Sequence, residues 1–171
     1  TFSTADANAV YNVTQNLGTL ADNLTISGTK SGENISTINV GNYQGITIAG
    51  NNKLTIQNVK ITSNSKIINA TSSDAKTTIE NAEIEGEIAN AGKLNLKGNT
   101  TGTNITGTGS TEIETLSNVQ INSLTQNTLS NSGNLTVNSI AISATATNNG
   151  TITNNGTSSV NALTNNATIN G

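Results

Sequence analysis

Short alternations of apolar and polar residues return along the chain at fixed intervals. Leu54-Thr55-Ile56 is followed by Thr77-Thr78-Ile79, Leu94-Asn95-Leu96, Thr111-Glu112-Ile113 and Leu135-Thr136-Val137, and the same frame reaches Ile152 and Ile169. The steps are 23, 17, 17, 24, 17 and 17 residues. A second column, Ile88, Ile105, Leu129, Ala146 and Leu163, precedes the first by a constant interval. Between the two columns stand Asn90, Gly107, Asn131, Asn148 and Asn165, and two residues further on Gly92, Gly109, Gly133, Gly150 and Ala167. A fixed period of this size marks a repeat architecture, and the period of two inside each phrase marks strands. Asn or Gly between two strands supplies a corner, because both tolerate the left-handed backbone of a sharp bend. The pattern predicts an all-β parallel β-solenoid with coils of about 17–24 residues, whose strands stack about 4.8 Å apart along the axis.

The charged residues follow the same frame. Glu80, Lys97 and Glu114 fall in one column, Lys60 falls beside Glu83, and Lys53, Lys76 and Lys93 share a third column. Alternating signs on neighbouring coils are favourable and stacked lysines mildly unfavourable, so these positions read as markers of register. Residues 1–23 are less regular and predict an N-terminal cap over the open end, with the solenoid over 24–171. Ala5, Ala9, Val10, Val13 and Leu17 allow a short amphipathic helix in that cap, or an irregular strand. The repeat frame is still running at Gly171, so the reading expects the solenoid to continue in the native chain.

Composition explains how such a chain folds with little to bury. Of its 171 residues 32% are hydrophobic and 10% charged, and the aromatics are Phe2, Tyr11 and Tyr43. Proline is absent and the net charge is only −3, unlike a disordered chain. A narrow interior of two or three Ile, Leu or Val per coil, stacked on their own copies, needs no large core. With no cysteine there is no disulfide framework or thiolate metal site. The acidic balance and the absence of Arg argue against nucleic acid as a partner.

The stretches "NYQGITIAGNNKLTIQNVKITSN", "NSGNLTVNS" and "NNGTITNNG" come close to a phrase Asn-x-Gly-x-Leu-x-Ile-x-Asn, matched most closely at Asn131-Ser132-Gly133-Asn134-Leu135-Thr136-Val137-Asn138, where Val stands for Ile and the last Asn comes one position early. Over residues 42–171 the chain resembles the passenger domains of bacterial autotransporter-type surface adhesins. The resemblance implies a right-handed parallel β-helix, export, and a place at the bacterial cell surface or outside it. Its implied partners are a host-surface protein or glycan, or sister cells through self-association. Contact with the outer membrane would run only through regions absent from these residues.

Some parallel β-helices cleave polysaccharides, which takes grouped carboxylates. The richest acidic run is "IENAEIEGEI", where Glu83, Glu85 and Glu87 share one parity around the inward-facing Ile84. Glu112 or Glu114 on a nearby coil would complete a weak cation site. A solvated face balanced by Lys60 and Lys97 accounts for the same residues. No Ser-His-Asp set is possible without histidine, so no catalytic residues, cofactor or metal are assigned. Tyr43 is an aromatic available to a sugar-binding surface, and the ligand-facing candidates are Tyr43, Glu83, Glu85, Glu87, Glu112 and Glu114. The sequence reading is thus a non-enzymatic adhesin segment, with a carbohydrate-binding or carbohydrate-processing module as the alternative. Thr145-Ala146-Thr147 and Thr151-Ile152-Thr153 raise an ice-binding solenoid as a further one. Asn-x-Ser/Thr sequons, Asn12, Asn34, Asn69, Asn99, Asn104, Asn134 and Asn149 among them, leave glycosylation open.

Overall fold

A computed structural model describes residues 1–171. It contains no helix, and apart from one small hairpin every strand pair is parallel, each coil hydrogen-bonded to the next. The solenoid has three faces. The first is built from Leu24–Ser27, Lys53–Gln57, Lys76–Glu80, Lys93–Lys97 and Ser110–Ile113, then by residues 128–131, 145–148 and 162–165 of longer, bent strands. The second runs through Thr37–Gly41, Lys60, Glu83, Thr101, Gln120, Thr136 and Thr153. The third runs through Ile46–Ile48, Ile68, Ile88, Ile105, Leu124 and Ile140.

The three-faced coil corrects the repeat frame. The step from Thr111 to Leu135 is not a longer coil: Thr111 pairs with Leu129, and Leu135 pairs with Val119 on the second face. The same jump divides the other column, since Ile88 and Ile105 stack on Leu124 in the third face while Leu129 and Ala146 belong to the first. One phrase, apolar-x-Asn-x-Gly-x-apolar, therefore closes two different corners. At Asn90 it joins the third face to the first, and at Asn131 and Asn148 it joins the first to the second.

The corner chemistry matches expectation at Gly107, whose φ is +119°, and differs at the asparagines. Asn90, Asn131, Asn148 and Asn165 do not have the left-handed backbone; among the asparagines that conformation belongs to Asn58 and Asn81, at the corner from the first face to the second, with Gly98 in the same column. The other asparagines turn their side chains inward or along the corner. Asn131 Nδ2 donates to Asn148 Oδ1 at 2.8 Å, and Asn148 Nδ2 to Asn165 Oδ1 at 2.8 Å, a ladder whose first two members are buried. Each also ties its own corner through the residue two positions on, as Asn90 does with Gly92. Gly109 has no room for a side chain: a Cβ there would lie 2.3 Å from the Gly92 carbonyl oxygen.

Inside, one cluster of 31 buried residues runs from Ile26 to Ile152. Lys60–Ala70 and Glu83–Asn90 each turn from the second face onto the third, with register shifts at the bend. A polar plug interrupts the apolar column: buried Gln126 accepts from Asn90 Nδ2 at 2.7 Å across two coils, and its Nε2 donates to the Thr125 carbonyl at 2.9 Å.

At the start of the chain the structure has strands, not a helix. Phe2–Ser3, Val10–Asn12 and Gly18–Thr19 form an irregular first coil, stacked on Ile26, Ile38 and Ile46 respectively. An antiparallel hairpin, Lys30–Ser31 with Asn34–Ile35, is inserted in the second coil. Its base is pinned by buried Ser36, which accepts from Thr4 Oγ1 at 2.8 Å.

Candidate functional site

The acidic candidates are spread over all three faces. Glu83 and Glu85 point outward from the second face beside Lys60, which lies across the strand boundary from Glu83. The Lys60 ammonium is 3.6 Å from Glu83 and hydrogen-bonded to Glu85. That hydrogen bond, with the charges of Glu85 and Glu83, raises the Lys60 pKa above its ordinary value. Glu87 does not continue the row. The chain bends at Gly86 onto the third face, where Glu87 stands in register with Lys66 and accepts a hydrogen bond from Thr106 at 2.8 Å. The shared parity of Glu83, Glu85 and Glu87 therefore does not become a shared face.

Glu112 and Glu114 sit on the first face and its corner. Glu114 lies 2.9 Å from Lys97 and accepts from Asn95 Nδ2 at 2.7 Å. The hydrogen bond from Lys97, then that from Asn95, lowers the Glu114 carboxyl below the ordinary range. Lys97 is raised in turn, by its bond to Glu114 and by the charges of Glu114, Glu80 and Glu112. The column Glu80–Lys97–Glu114 is thus a mixed-sign ladder, as the repeat frame predicts. No three acidic side chains converge on a point that could hold a metal ion. The geometry serves to neutralise neighbouring coils.

Tyr43 projects from the turn after Gly41 and is 40% exposed. From the following residue, Gln44, a polar groove of about 350 Å³ opens between coils, lined by Gln44, Gly45, Thr47, Ser65, Lys66 and Asn69. The sequence reading singled out Tyr43 and missed the groove, because its residues come from two coils and share no motif. A second hollow, about 410 Å³, lies at the open N-terminal end among Phe2, Tyr11, Val13, Leu17, Leu20 and Leu24. Its Phe2 and Tyr11 rings meet edge-on with centroids 6.0 Å apart.

The outer threonines form broken columns. On the first face Thr25, Thr55 and Thr78 stack, Asn95 and Glu112 interrupt, and Ser130, Thr147 and Thr164 resume. Ala89 and Thr106, which follow Ile88 and Ile105 as Thr147 follows Ala146, lie on the third face and do not join this column. Outward asparagines make ladders of their own, with Asn122 donating to Asn104 at 3.0 Å and Asn138 to Asn122 at 3.1 Å. Lys53, Lys76 and Lys93 form one exposed column along the edge of the first face. Comparison of the chain with family models, with curated proteins and with solved structures gives no match.

Proposed function

We propose that the chain is a non-enzymatic segment of a secreted or cell-surface bacterial adhesin, a stiff prism that offers long faces to a host protein, a glycan or a sister cell. One observation carries the reading: the outer surface carries in-register ladders of amides, such as Asn104–Asn122–Asn138 and Asn99–Asn118–Asn134. Identical hydrogen-bonding groups repeated at the strand spacing suit many weak contacts to an extended or repetitive partner, which sum through multivalency. The engagement of Glu83, Glu85 and Glu114 by lysines supports structural roles for those carboxylates. The likeness of residues 131–138 to autotransporter passenger repeats supports export.

The test is binding of the purified chain to immobilised matrix proteins, to a glycan array and to bacterial cells, run beside a glycan-cleavage assay. Saturable binding without turnover is expected. Turnover of a polysaccharide that disappears in Glu85→Gln or Glu112→Gln would overturn the proposal. The exposed Tyr43, and the polar groove that begins at the following residue Gln44, favour a second reading, a carbohydrate-binding module, because aromatics, amides and hydroxyls are the groups that engage sugars. Loss of glycan binding in Tyr43→Ala with the fold intact would select it.

A further inference from the structure

The lysine column has no structural explanation. Lys53, Lys76 and Lys93 are paired residue for residue across neighbouring strands, so their Cα atoms follow one another at about the 4.8 Å strand spacing. Like charges directly opposite each other destabilise a sheet. The ion pairs of the molecule engage Lys60 and Lys97, and none reaches this column. At the other edge of the same strands the signs alternate through Glu80, Lys97 and Glu114. The fold therefore permits neutralised columns, yet this one keeps three exposed ammonium groups in a row.

Its surroundings indicate what would neutralise it. Beside the lysines, one outward position further along each strand, runs the half-buried column Thr55, Thr78, Asn95. Beyond Lys93 the lysine column continues as hydroxyls, Ser110, Thr128 and Thr145. A linear ligand lying along the solenoid axis would meet one cation per coil and a hydroxyl or amide next to each. We infer that this edge binds an extended acidic polysaccharide, with a uronate carboxylate on each lysine and ring hydroxyls on the Thr/Asn column. An extended pyranose chain advances per sugar by a distance of the same order as one coil. Single-stranded nucleic acid fits less well, because it is held by aromatic stacking as well as charge, and the column has no aromatic beside it. The inference rests on the reading of the chain as a binding segment, and names the chemistry of one partner.

The experiment uses size-fractionated polygalacturonate, with a neutral galactan and a single-stranded DNA of equal charge as comparators. Ion release from three lysine contacts gives a log–log salt slope of roughly −2 to −3. Lys76→Gln/Lys93→Gln should weaken polygalacturonate binding about tenfold or more and flatten that slope. Lys30→Gln/Lys60→Gln removes the same charge off the column and should stay within about twofold of wild type. Equal losses in the two double variants, or no polygalacturonate binding by the wild-type chain, overturn the inference. DNA binding as tight as polygalacturonate and equally dependent on Lys76 and Lys93 overturns the choice of a polysaccharide. Retained binding of the ladder variant to matrix protein or neutral glycan leaves the adhesin reading standing by itself. Loss of every ligand by the wild-type chain sinks both.

Discussion

Buried amides decide stability at single residues. Asn148 is fully buried; it accepts from Asn131 at 2.8 Å and donates to Asn165 at 2.8 Å and to the Thr168 carbonyl at 3.0 Å. Removing it leaves the Thr168 carbonyl and the Asn165 amide oxygen without this donor and opens a void between coils. Asn148→Ala should therefore cost about 1–3 kcal/mol, while Asn149→Ala, next in sequence but part of an exposed ladder, should stay within about 0.5 kcal/mol. Urea titration of the two variants side by side checks the contrast, and equal midpoints would refute the role of the inner ladder. Glu114 makes a prediction of a different kind. Its folded pKa is depressed, first by the bond from Lys97 and then by that from Asn95. The contribution of this group is therefore present above the unfolded carboxylate pKa and fades as pH falls through the lower folded value. In an NMR titration its carboxyl should titrate below the ordinary glutamate range, and Lys97→Met should move it back up. An unmoved midpoint in Lys97→Met would show that the ladder contact is not formed in solution.

At the scale of strands the decisive quantity is register, and the chain offers a clean way to measure it because it contains no cysteine. Glu112 and Ser130 are outward partners on adjacent coils, whereas the repeat frame aligns Glu112 with Thr136. Paired strands hold their Cα atoms about 4.8 Å apart, inside the 4.4–6.8 Å range that a disulfide spans. Glu112→Cys/Ser130→Cys should oxidise readily to an intramolecular bond seen by mass spectrometry. Glu112→Cys/Thr136→Cys, with its second cysteine on the second face, should remain reduced; the reverse result would restore the simpler frame. The error in that frame has a physical source. Alternation is the same on all three faces, so Leu129 and Leu135 satisfy it equally, and nothing in either phrase states which face it builds. Period, strand type and the charge pairs Lys60–Glu83 and Lys97–Glu114 were legible, since both pairs follow from the steps of 23 and 17 residues that carry Leu54 to Thr77 and Leu94 to Thr111, where the frame holds. The position of Glu87 was not, because the bend at Gly86 keeps the outward parity but turns the strand onto another face. The groove that begins at Gln44 was hidden for a related reason: it exists only where Gln44 and Lys66 meet across coils.

The whole molecule is uneven along its axis. Every charged residue lies at or before Glu114, and the polar positions of the remainder are uncharged, mostly Asn, Thr, Ser and Gly. Through the middle coils the interior is filled by fully buried Ile56, Ile79, Leu94, Leu96 and Ile113. In the last coils the column of Leu94 ends in Leu163 and that of Ile113 in Asn165, and Leu163 and the second face's Ile169 are 49% and 43% exposed. Apolar burial stabilises by about 25 cal/mol per Å², so these coils gain little. Past the short pairing of Thr168–Asn170 with residues 151–153, no strand stacks on 154–165. In a nearest-neighbour array the coil with one partner opens first. Backbone amides of residues 157–165 should exchange with deuterium faster than those of 93–97 by on the order of two decades or more, with intermediate rates through 134–148. The gradient should be the same at low and high protein concentration if the end coil is free in solution. Protection of 157–165 that rises with concentration would mean that a second copy pairs with this edge, which carries no charge to repel it. Slow exchange at every concentration, equal to that of 93–97, would refute the account, because backbone pairing and inner asparagines alone would then suffice to hold a coil that buries almost no apolar surface.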